Sequence, residues 1–283
     1  MMRRSKEGVP NGAPLTNYIQ FKSFSWLYDQ LFETVQAQSD ALKEKAFRIR
    51  HEVYCDEFGY EEAANHADRL ERDAYDERAE HSLLIHKRSG EAIGTVRIVP
   101  PNLDDLSHSF PLQDIFKSGR MRDEDLLENM CEISRLCMLK KFRARNGDEG
   151  SPLGGVHDQE QETFVDRSCR RVARRIIPFA PIGLIQSSFD MASRQGLTHG
   201  CAILETRLIS SLEQLGIICE RIGPTIEYQG NRQPIIIDFL ATMNNLRVHQ
   251  RAVWEMVTQN GVLHERLYKM RDQKQKNKEF LNN

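Results

Sequence analysis

Residues 81–100 read HSLLIHKRSGEAIGTVRIVP and predict a β-hairpin. Two runs rich in β-branched and large aliphatic residues, 81–86 and 92–99, flank a short polar turn at 87–90. A third run of the same character, residues 131–139, predicts another central strand. We therefore expect the core of the protein to form around these strands.

Helices and further strands surround the three runs. Ser39 and Asp40 precede good helix formers and predict a helix that reaches about Phe58 and is closed by Gly59. The order of elements is mixed α/β (α+β), with a central, mostly antiparallel mixed sheet flanked by helices, and not a strict βαβ alternation. Shorter strand candidates lie outside the central runs, at residues 32–35, 201–205, 219–222 and 234–239.

Three regions divide the chain. Residues 1–29 combine a flexible N-terminus with a packing helix, residues 30–241 form the main domain, and residues 242–283 form a C-terminal helical extension. Residues 60–80 carry many charges and few apolar side chains, which is typical of an exposed loop. The side chains expected to face solvent there are Glu71, Arg72, Glu77 and Arg78.

Composition excludes several classes of protein. The 39 basic and 41 acidic residues leave a net charge of −2, so the chain as a whole offers no strong field for nucleic acid. The longest apolar stretch, residues 176–192, is interrupted by proline, glycine and polar residues, so we expect no integral membrane segment. Residues 1–14 lack the apolar middle of a secretory signal, which predicts a cytoplasmic protein.

Cysteines and histidines give no sign of a metal or redox site. The six cysteines include no CxxC pair, and the nine histidines are dispersed, so we expect reduced thiols and no metal. Cys131 and Cys137 have no histidine partner recognisable in the sequence, which argues against a nucleophilic cysteine. His81 is expected to be a structural histidine with its hydrogen bonds satisfied.

A buried arginine is predicted on the second strand of the hairpin. Arg97 has apolar neighbours on both faces, and a buried guanidinium needs a carboxylate partner, for which Glu132 is the best candidate. Strict alternation along the strand places Glu132 and Arg135 on opposite faces. These three residues fit a structural ion-pair network as well as a catalytic site.

Arginines and carboxylates also alternate across separate segments, and the resulting series resembles a known family. It is similar to the acyl-homoserine-lactone synthases and N-acyl amino acid synthases, a branch of the GNAT acyltransferase fold. The segments are FRIRHEVY at 47–54, ERDAYD at 71–76, IGTVR at 93–97 and EISR at 132–135. The later segment EYQGNRQP, residues 227–234, resembles acyltransferases associated with PEP-CTERM/exosortase protein-sorting systems.

The resemblance implies a GNAT-like acyl-CoA N-acyltransferase fold and assigns roles to residues. Glu132 would be the general base, directly or through a water, beside Arg97 and Arg135, and a β-bulge would bring Glu132 and Arg135 together. The acceptor would contact a second set, in which a tyrosine replaces the tryptophan usual in lactone synthases. That set is Arg50, Asp73, Asp76 and Tyr60.

The implied donor is an acyl thioester, with no bound cofactor. Its pantetheine arm would lie where the strand of Glu132 separates from residues 201–205. Basic side chains near this gap suit an acidic acyl-carrier protein better than free coenzyme A, although a solvated arginine face explains part of them equally well. They are Lys140, Lys141, Arg143 and Arg145 after the strand, and Arg170 and Arg174 on one helix face.

We therefore predict an N-acyltransferase that moves a fatty-acyl group to the amine of a small polar acceptor. The donor would be an acyl-carrier-protein thioester or an acyl-CoA. Two alternatives stay open at this point. One is an acyl-homoserine-lactone synthase that uses S-adenosylmethionine, and the other is a non-catalytic module that binds acyl-carrier protein.

Overall fold

The computed structural model describes residues 25–26, 28–117, 119–142 and 179–281. Four of the basic residues predicted at the carrier-protein surface lie outside these ranges. They are Arg143, Arg145, Arg170 and Arg174.

The described residues form one eight-stranded sheet in the order β1-β2-β3-β4-β5-β8-β6, with β7 also paired to β8. Every neighbouring pair is antiparallel except β4–β5, which is parallel. The predicted class, a mostly antiparallel sheet flanked by helices, is therefore confirmed. The strands are β1 (Phe32–Gln36), β2 (Glu80–His86), β3 (Glu91–Val99), β4 (Met130–Met138), β5 (His199–Glu205), β6 (Glu220–Arg221), β7 (Ile226–Glu227) and β8 (Asn231–Asp238).

Helices cover both faces of the sheet. On one face lies α1, and on the other lies α4, which crosses β1 to β4. The helices are α1 (Asp40–His51), α2 (Pro111–Ile115), α3 (Glu124–Leu127), α4 (Pro181–Arg194), α5 (Thr206–Gln214), α6 (Phe239–His249), α7 (Arg251–Val257) and α8 (Val262–Leu281).

Local sequence signals set the ends of α1. The side chain of Ser39 accepts a hydrogen bond from the backbone N–H of Leu42, as an N-cap residue does. The helix continues as a π-helical turn, Glu52–Glu57, and Gly59 then adopts a left-handed φ of 63°. The predicted helix to about Phe58, closed by Gly59, is therefore confirmed.

The C-terminal helices contribute to the main hydrophobic core. Trp254 and Val257 of α7 and Leu263 and Leu267 of α8 are buried in the same cluster as Phe189 of α4. The burial of these apolar side chains removes them from water and fixes α7 and α8 against the domain. In the part of the chain that the structure describes, no helix is both long and apolar enough to cross a membrane.

The strands β4 and β5 separate soon after they meet. They pair from Met130 opposite His199 to Glu132 opposite Cys201, and no further pairing between them occurs in the described chain. The remaining residues of both strands diverge and leave a gap in the middle of the sheet. This separation matches the one that the resemblance implied.

Candidate active site

The buried arginine of β3 is paired with carboxylates from a loop. Nη1 of Arg97 lies 2.6 Å from Oδ1 of Asp73 and 2.9 Å from Oδ1 of Asp76, and its Nε donates to the hydroxyl of Ser134 at 3.1 Å. The predicted burial of Arg97 is correct, but Glu132 is not its direct partner. Asp73 and Asp76 bind Arg97 in place of Glu132 because their loop folds back over β3. The loop forms a tight helical turn there, in which Asp73 and Asp76 cap each other's backbone.

Arg50 lies beneath the same loop with its whole side chain buried. Its guanidinium binds Asp76 in a bidentate arrangement, with N–O distances of 2.8 and 2.9 Å, and its Nε donates to Glu71. Burial by itself lowers the pKa of Arg50, but the two carboxylates outweigh burial and raise it. Arg50 has no exposed surface through which it could contact a substrate. Its ion pairs instead hold Glu71 and Asp76 in position.

A β-bulge places Arg135 on the same side of the sheet as Glu132. Cys137 pairs with Thr95 and Ser134 pairs with Arg97, so β4 has one residue more than β3 between these pairs. Arg135, within the bulge, has a positive φ of 51°. Of the two arrangements left open by the sequence, the bulged one is present, and both side chains line one pocket.

Arg135 joins the cluster from the solvent side. Its Nη2 lies 2.9 Å from Oε1 of Glu71 and 3.3 Å from Oδ2 of Asp73, and its guanidinium lies 5.5 Å from the ring of Tyr54. Three arginines thus form one connected network with Glu71, Asp73 and Asp76, and Glu61 extends it at 3.7 Å from Nη2 of Arg135. Its accessible members are Glu61, with 29% of its side chain exposed, Asp73, with 28%, and Arg135, with 19%.

The loop is less exposed than its composition suggests. Glu71 was expected in solvent, but it is 1% exposed because it binds both Arg50 and Arg135. Burial by itself raises the pKa of Glu71, but the two arginines outweigh burial and lower this pKa to about 2. Arg78 was also predicted wrongly, since its guanidinium donates to the backbone carbonyls of Pro100 and Ser109. The two side chains found exposed as expected are Arg72 and Glu77.

Glu132 lies at the point where β4 and β5 separate. It is 3% exposed, and its Oε2 accepts a hydrogen bond of 2.7 Å from the backbone N–H of Leu112 in α2. Burial raises the pKa of Glu132 to about 7, because this single backbone donor and the more distant Arg97 and Arg135 only partly offset the loss of hydration. A carboxyl group with such a pKa can accept and release a proton near neutral pH.

A pocket of about 1150 Å³, including its opening to solvent, occupies the gap between β4 and β5. Its inner wall is apolar and is formed by both strands together with α4 and α5. Polar side chains also line it, among them Tyr54, Glu132, Ser134, Arg135, Ser188, Glu205, Tyr228, Gln229 and Arg232. The apolar lining residues include Ile133, Leu136, Phe189, Ala202, Leu204, Leu208, Leu212 and Ile237.

The remaining predicted site residues lie near this pocket or at the surface. Tyr60 stacks on Phe58 at a ring distance of 5.1 Å and supports Arg232, whose guanidinium lies 5.6 Å from its ring. Lys140 is exposed, and the ammonium of Lys141 pairs with Glu91.

His81 is buried as expected, but neither of its ring nitrogens has a hydrogen-bond partner in the described chain. Its Nε2 lies 3.6 Å from Oδ1 of Asp76. Burial, together with Arg50 and Arg97, lowers the pKa of His81 to about 4, so the ring is neutral at physiological pH. The expected hydrogen bonds are absent, and Oδ1 of Asp76 already accepts hydrogen bonds from Arg50 and Arg97.

Sequence reasoning missed three residues of this site. Glu71 was assigned to an exposed face, and Tyr54 and Arg232 received no role although all three lie in the segments that carry the family resemblance. An alternating pattern of hydrophobic residues gives no signal for such side chains, because their placement depends on the loop and on the separated strands.

Residues 49–150 match the sequence profile of a domain described as Acetyltransferase (GNAT) domain. The sheet, with its bulged β4 and its parallel but separating β4–β5 pair, is a GNAT-like fold. This match and the GNAT-like fold indicate that the protein is an N-acyltransferase.

The chain is similar to the following solved structures. FeeM, an N-acyl amino acid synthase from uncultured soil microbes, superimposes with a TM-score of 0.51 at 12% identity, over 78% of this chain and 97% of FeeM. TofI, in a ternary complex with an inhibitor and MTA, gives 0.49 at 14% identity over 78% and 99% of the two chains. BjaI, a CoA-dependent acyl-homoserine lactone synthase, gives 0.48 at 16% identity over 84% and 89%. A search of curated proteins found no match.

Proposed function

We propose that the protein transfers a fatty-acyl group from an acyl thioester to the amine of a small polar acceptor. The observation that carries this proposal is the position of Glu132, a buried carboxyl group with a pKa of about 7 that lines an apolar pocket between separated strands. The apolar wall suits an acyl chain, and the carboxyl group suits proton transfer beside it.

The donor enters through the gap between β4 and β5. Beyond Glu132 the edge of β4 that faces β5 has no partner strand in the described chain, so its backbone groups are free to bind a pantetheine arm. The acyl chain then extends along the apolar wall formed by Ile133, Phe189 and Leu208. Backbone N–H groups of the same edge stabilise the oxyanion that forms at the thioester carbon.

The acceptor binds beside the arginine–carboxylate network. Asp73 is an accessible carboxylate of this network and suits an ammonium group. Asp76 accepts from the backbone N–H of Asp73, and Arg50 binds both Asp76 and Glu71 from below. Arg97 fixes the two aspartates, and Tyr60 borders the opening through its contact with Arg232.

The chemical step proceeds by direct attack. The neutral amine adds to the thioester carbonyl and forms a C–N bond, and Glu132 takes the proton that the nitrogen releases. The tetrahedral intermediate then expels the sulfur with the C–S bond electrons, and the proton held by Glu132 passes to the thiolate. Arg135 and Arg97 lie close enough to Glu132 to affect its pKa and favour its ionised form before attack.

The donor we favour is an acyl-carrier-protein thioester rather than acyl-CoA. Lys140, exposed just after β4, supplies a positive charge at the surface that follows this strand. The resemblance of residues 227–234 to acyltransferases associated with PEP-CTERM/exosortase systems supports a role of the product in such a system.

The proposed activity is tested with purified protein, acyl-CoA or acyl-carrier protein, and a mixture of amines that includes amino acids and S-adenosylmethionine. We expect release of free thiol that depends on the amine, and an acylated amine detected by mass spectrometry. Formation of an acyl-homoserine lactone would instead select the lactone-synthase alternative. Tight binding of acyl-carrier protein without any thiol release would select the non-catalytic module.

The pocket between β4 and β5 predicts that the bulk of its wall limits acyl-chain length. Leu208→Phe on α5 is expected to lower kcat/KM for the longest accepted chain by about 10-fold, because each excluded methylene is worth ~0.8 kcal/mol. Shorter chains should be unaffected when the enzyme is assayed with a series of acyl thioesters. Ser210→Phe, on the exposed face of the same helix, is the control. An equal loss for all chain lengths would contradict the assignment of this wall to the acyl chain.

A further inference from the structure

Among the described residues, no carboxylate lies within ion-pair distance of Arg232, a cation of the pocket. It lies on β8, on the β5 side of the gap, and lines the pocket. Its Nε donates to the backbone carbonyl of Gln229 at 3.3 Å, and its guanidinium lies over the ring of Tyr60. Its Nη2 is buried and has no hydrogen-bond partner in the described chain. A buried guanidinium donor without an acceptor is costly, so this group is suited to a ligand.

The other arginines near the pocket differ from Arg232 in their surroundings. Arg50, Arg97 and Arg135 each contact at least two carboxylates at ion-pair distance. Arg232 has no carboxylate within 4 Å among the described residues, although Glu205 stands opposite it in the register of β5 and β8. Glu205 interacts with Arg232 electrostatically, but the two do not come within ion-pair distance.

Arg232 lies across the pocket from the residues of β4. Arg135, on the β4 side, and Arg232, on the β8 side, both act electrostatically on Tyr54, which lines the pocket between them. Glu132 and Arg232 line the same pocket, so a substrate bound there can contact both side chains. The stacking on Tyr60 and the bond to Gln229 hold the guanidinium plane in a fixed orientation.

We propose that Arg232 is a specificity-determining residue that binds an oxyanion of a substrate in the pocket. The planar guanidinium matches a carboxylate or a phosphate through two parallel hydrogen bonds. Because the inference rests on the proposed acyl transfer, the oxyanion has two possible sources. One is a carboxylate on the amine acceptor, and the other is the phosphate of the donor's pantetheine arm.

The experiment compares wild type with Arg232→Gln on four substrate combinations. The acceptor is L-leucine or L-leucinamide, and the donor is an acyl-CoA or the matching acyl-pantetheine, which has no phosphate. We expect a loss of kcat/KM of about 10- to 100-fold for substrates that carry the oxyanion, which is the size of a charge-assisted hydrogen bond. The loss disappears with leucinamide if the carboxylate is bound, and with acyl-pantetheine if the phosphate is bound.

Two further variants make the result specific. Arg232→Lys keeps the charge but not the two parallel donors and should recover only part of the activity. Arg221→Gln removes an arginine of β6 that is bound to Glu213 outside the pocket, and it should leave all four rates unchanged. An equal loss with all four combinations, or no loss at all, overturns the proposal and makes Arg232 a structural partner of Glu205.

A binding measurement separates this inference from the proposed function. If wild type forms no amide with any combination, the proposed acyl transfer fails, and calorimetric titration with L-leucine and with coenzyme A then tests Arg232 alone. Weaker binding of either probe to Arg232→Gln, at unchanged thermal stability, supports the oxyanion site. Equal affinity for both proteins, or no binding to wild type, overturns it.

Discussion

Glu132→Gln is expected to lower kcat for amide formation by about 10²- to 10⁴-fold, the usual contribution of a positioned general base. Glutamine is nearly isosteric and its side-chain oxygen can still accept the hydrogen bond from Leu112, so the fold should be preserved. The measurement is the rate of thiol release, with circular dichroism as a control for folding. Full activity in Glu132→Gln would exclude this residue from the chemical step.

The pH dependence of wild type gives a second measure of the same group. Burial raises the pKa of Glu132 to about 7, and only the ionised form accepts a proton, so kcat/KM should rise with pH through about 7. The residual activity of Glu132→Gln should lack this rise.

The ionisation of Glu132 should lower the stability of the folded protein as pH rises, whereas it raises kcat/KM. The pKa of Glu132 is about 7 in the folded protein against 4.5 in an ordinary environment, so its contribution to stability is present below 4.5 and is lost as pH rises through 7. Well above that pH, Glu132→Gln should therefore be more stable than wild type, by ~1–3 kcal/mol. Urea unfolding on both sides of the pKa measures the difference, and equal stability at high pH would contradict a buried charge.

Arg50→Met is expected to destabilise the fold by about 3–5 kcal/mol, because it leaves Glu71 and Asp76 buried without their principal partner. The measurement is the free energy of unfolding in urea at neutral pH. The control is Arg48→Met on the same helix, where an exposed pair with Glu44 is worth less than about 1 kcal/mol. Similar effects of the two substitutions would show that the network adds little to stability.

The acid side of the stability curve should depend on the same cluster. The pKa of Glu71 is lowered to about 2 and that of Asp76 is also lowered, despite burial, by their arginines. Their contribution is present above their ordinary pKa values and is lost as pH falls through the folded ones. Wild type should therefore lose stability as pH falls from about 4.5 toward 2, and Arg50→Met should lose much less over that interval.

Local patterns determined much of the framework. The hairpin β2–β3, the strand β4 and the capped helix α1 follow from runs of apolar residues and from Ser39 and Gly59, whose effects reach only a few residues along the chain. The burial of Arg97 was predictable for the same reason, because its strand neighbours are apolar on both faces.

The tertiary structure alone decided which charges meet. The loop that carries Asp73 and Asp76 folds over β3, and both aspartates bind Arg97. Glu132 instead accepts a hydrogen bond from the backbone N–H of Leu112, which lies in a segment distant in sequence. The packing of whole segments decides such pairings, because a buried charged side chain pairs with the partner that the fold brings near it. The bulge at Arg135 and the separation of β4 from β5 have the same origin. They arise between strands, where two chain segments must share one ladder of hydrogen bonds, and no single stretch of sequence encodes that register.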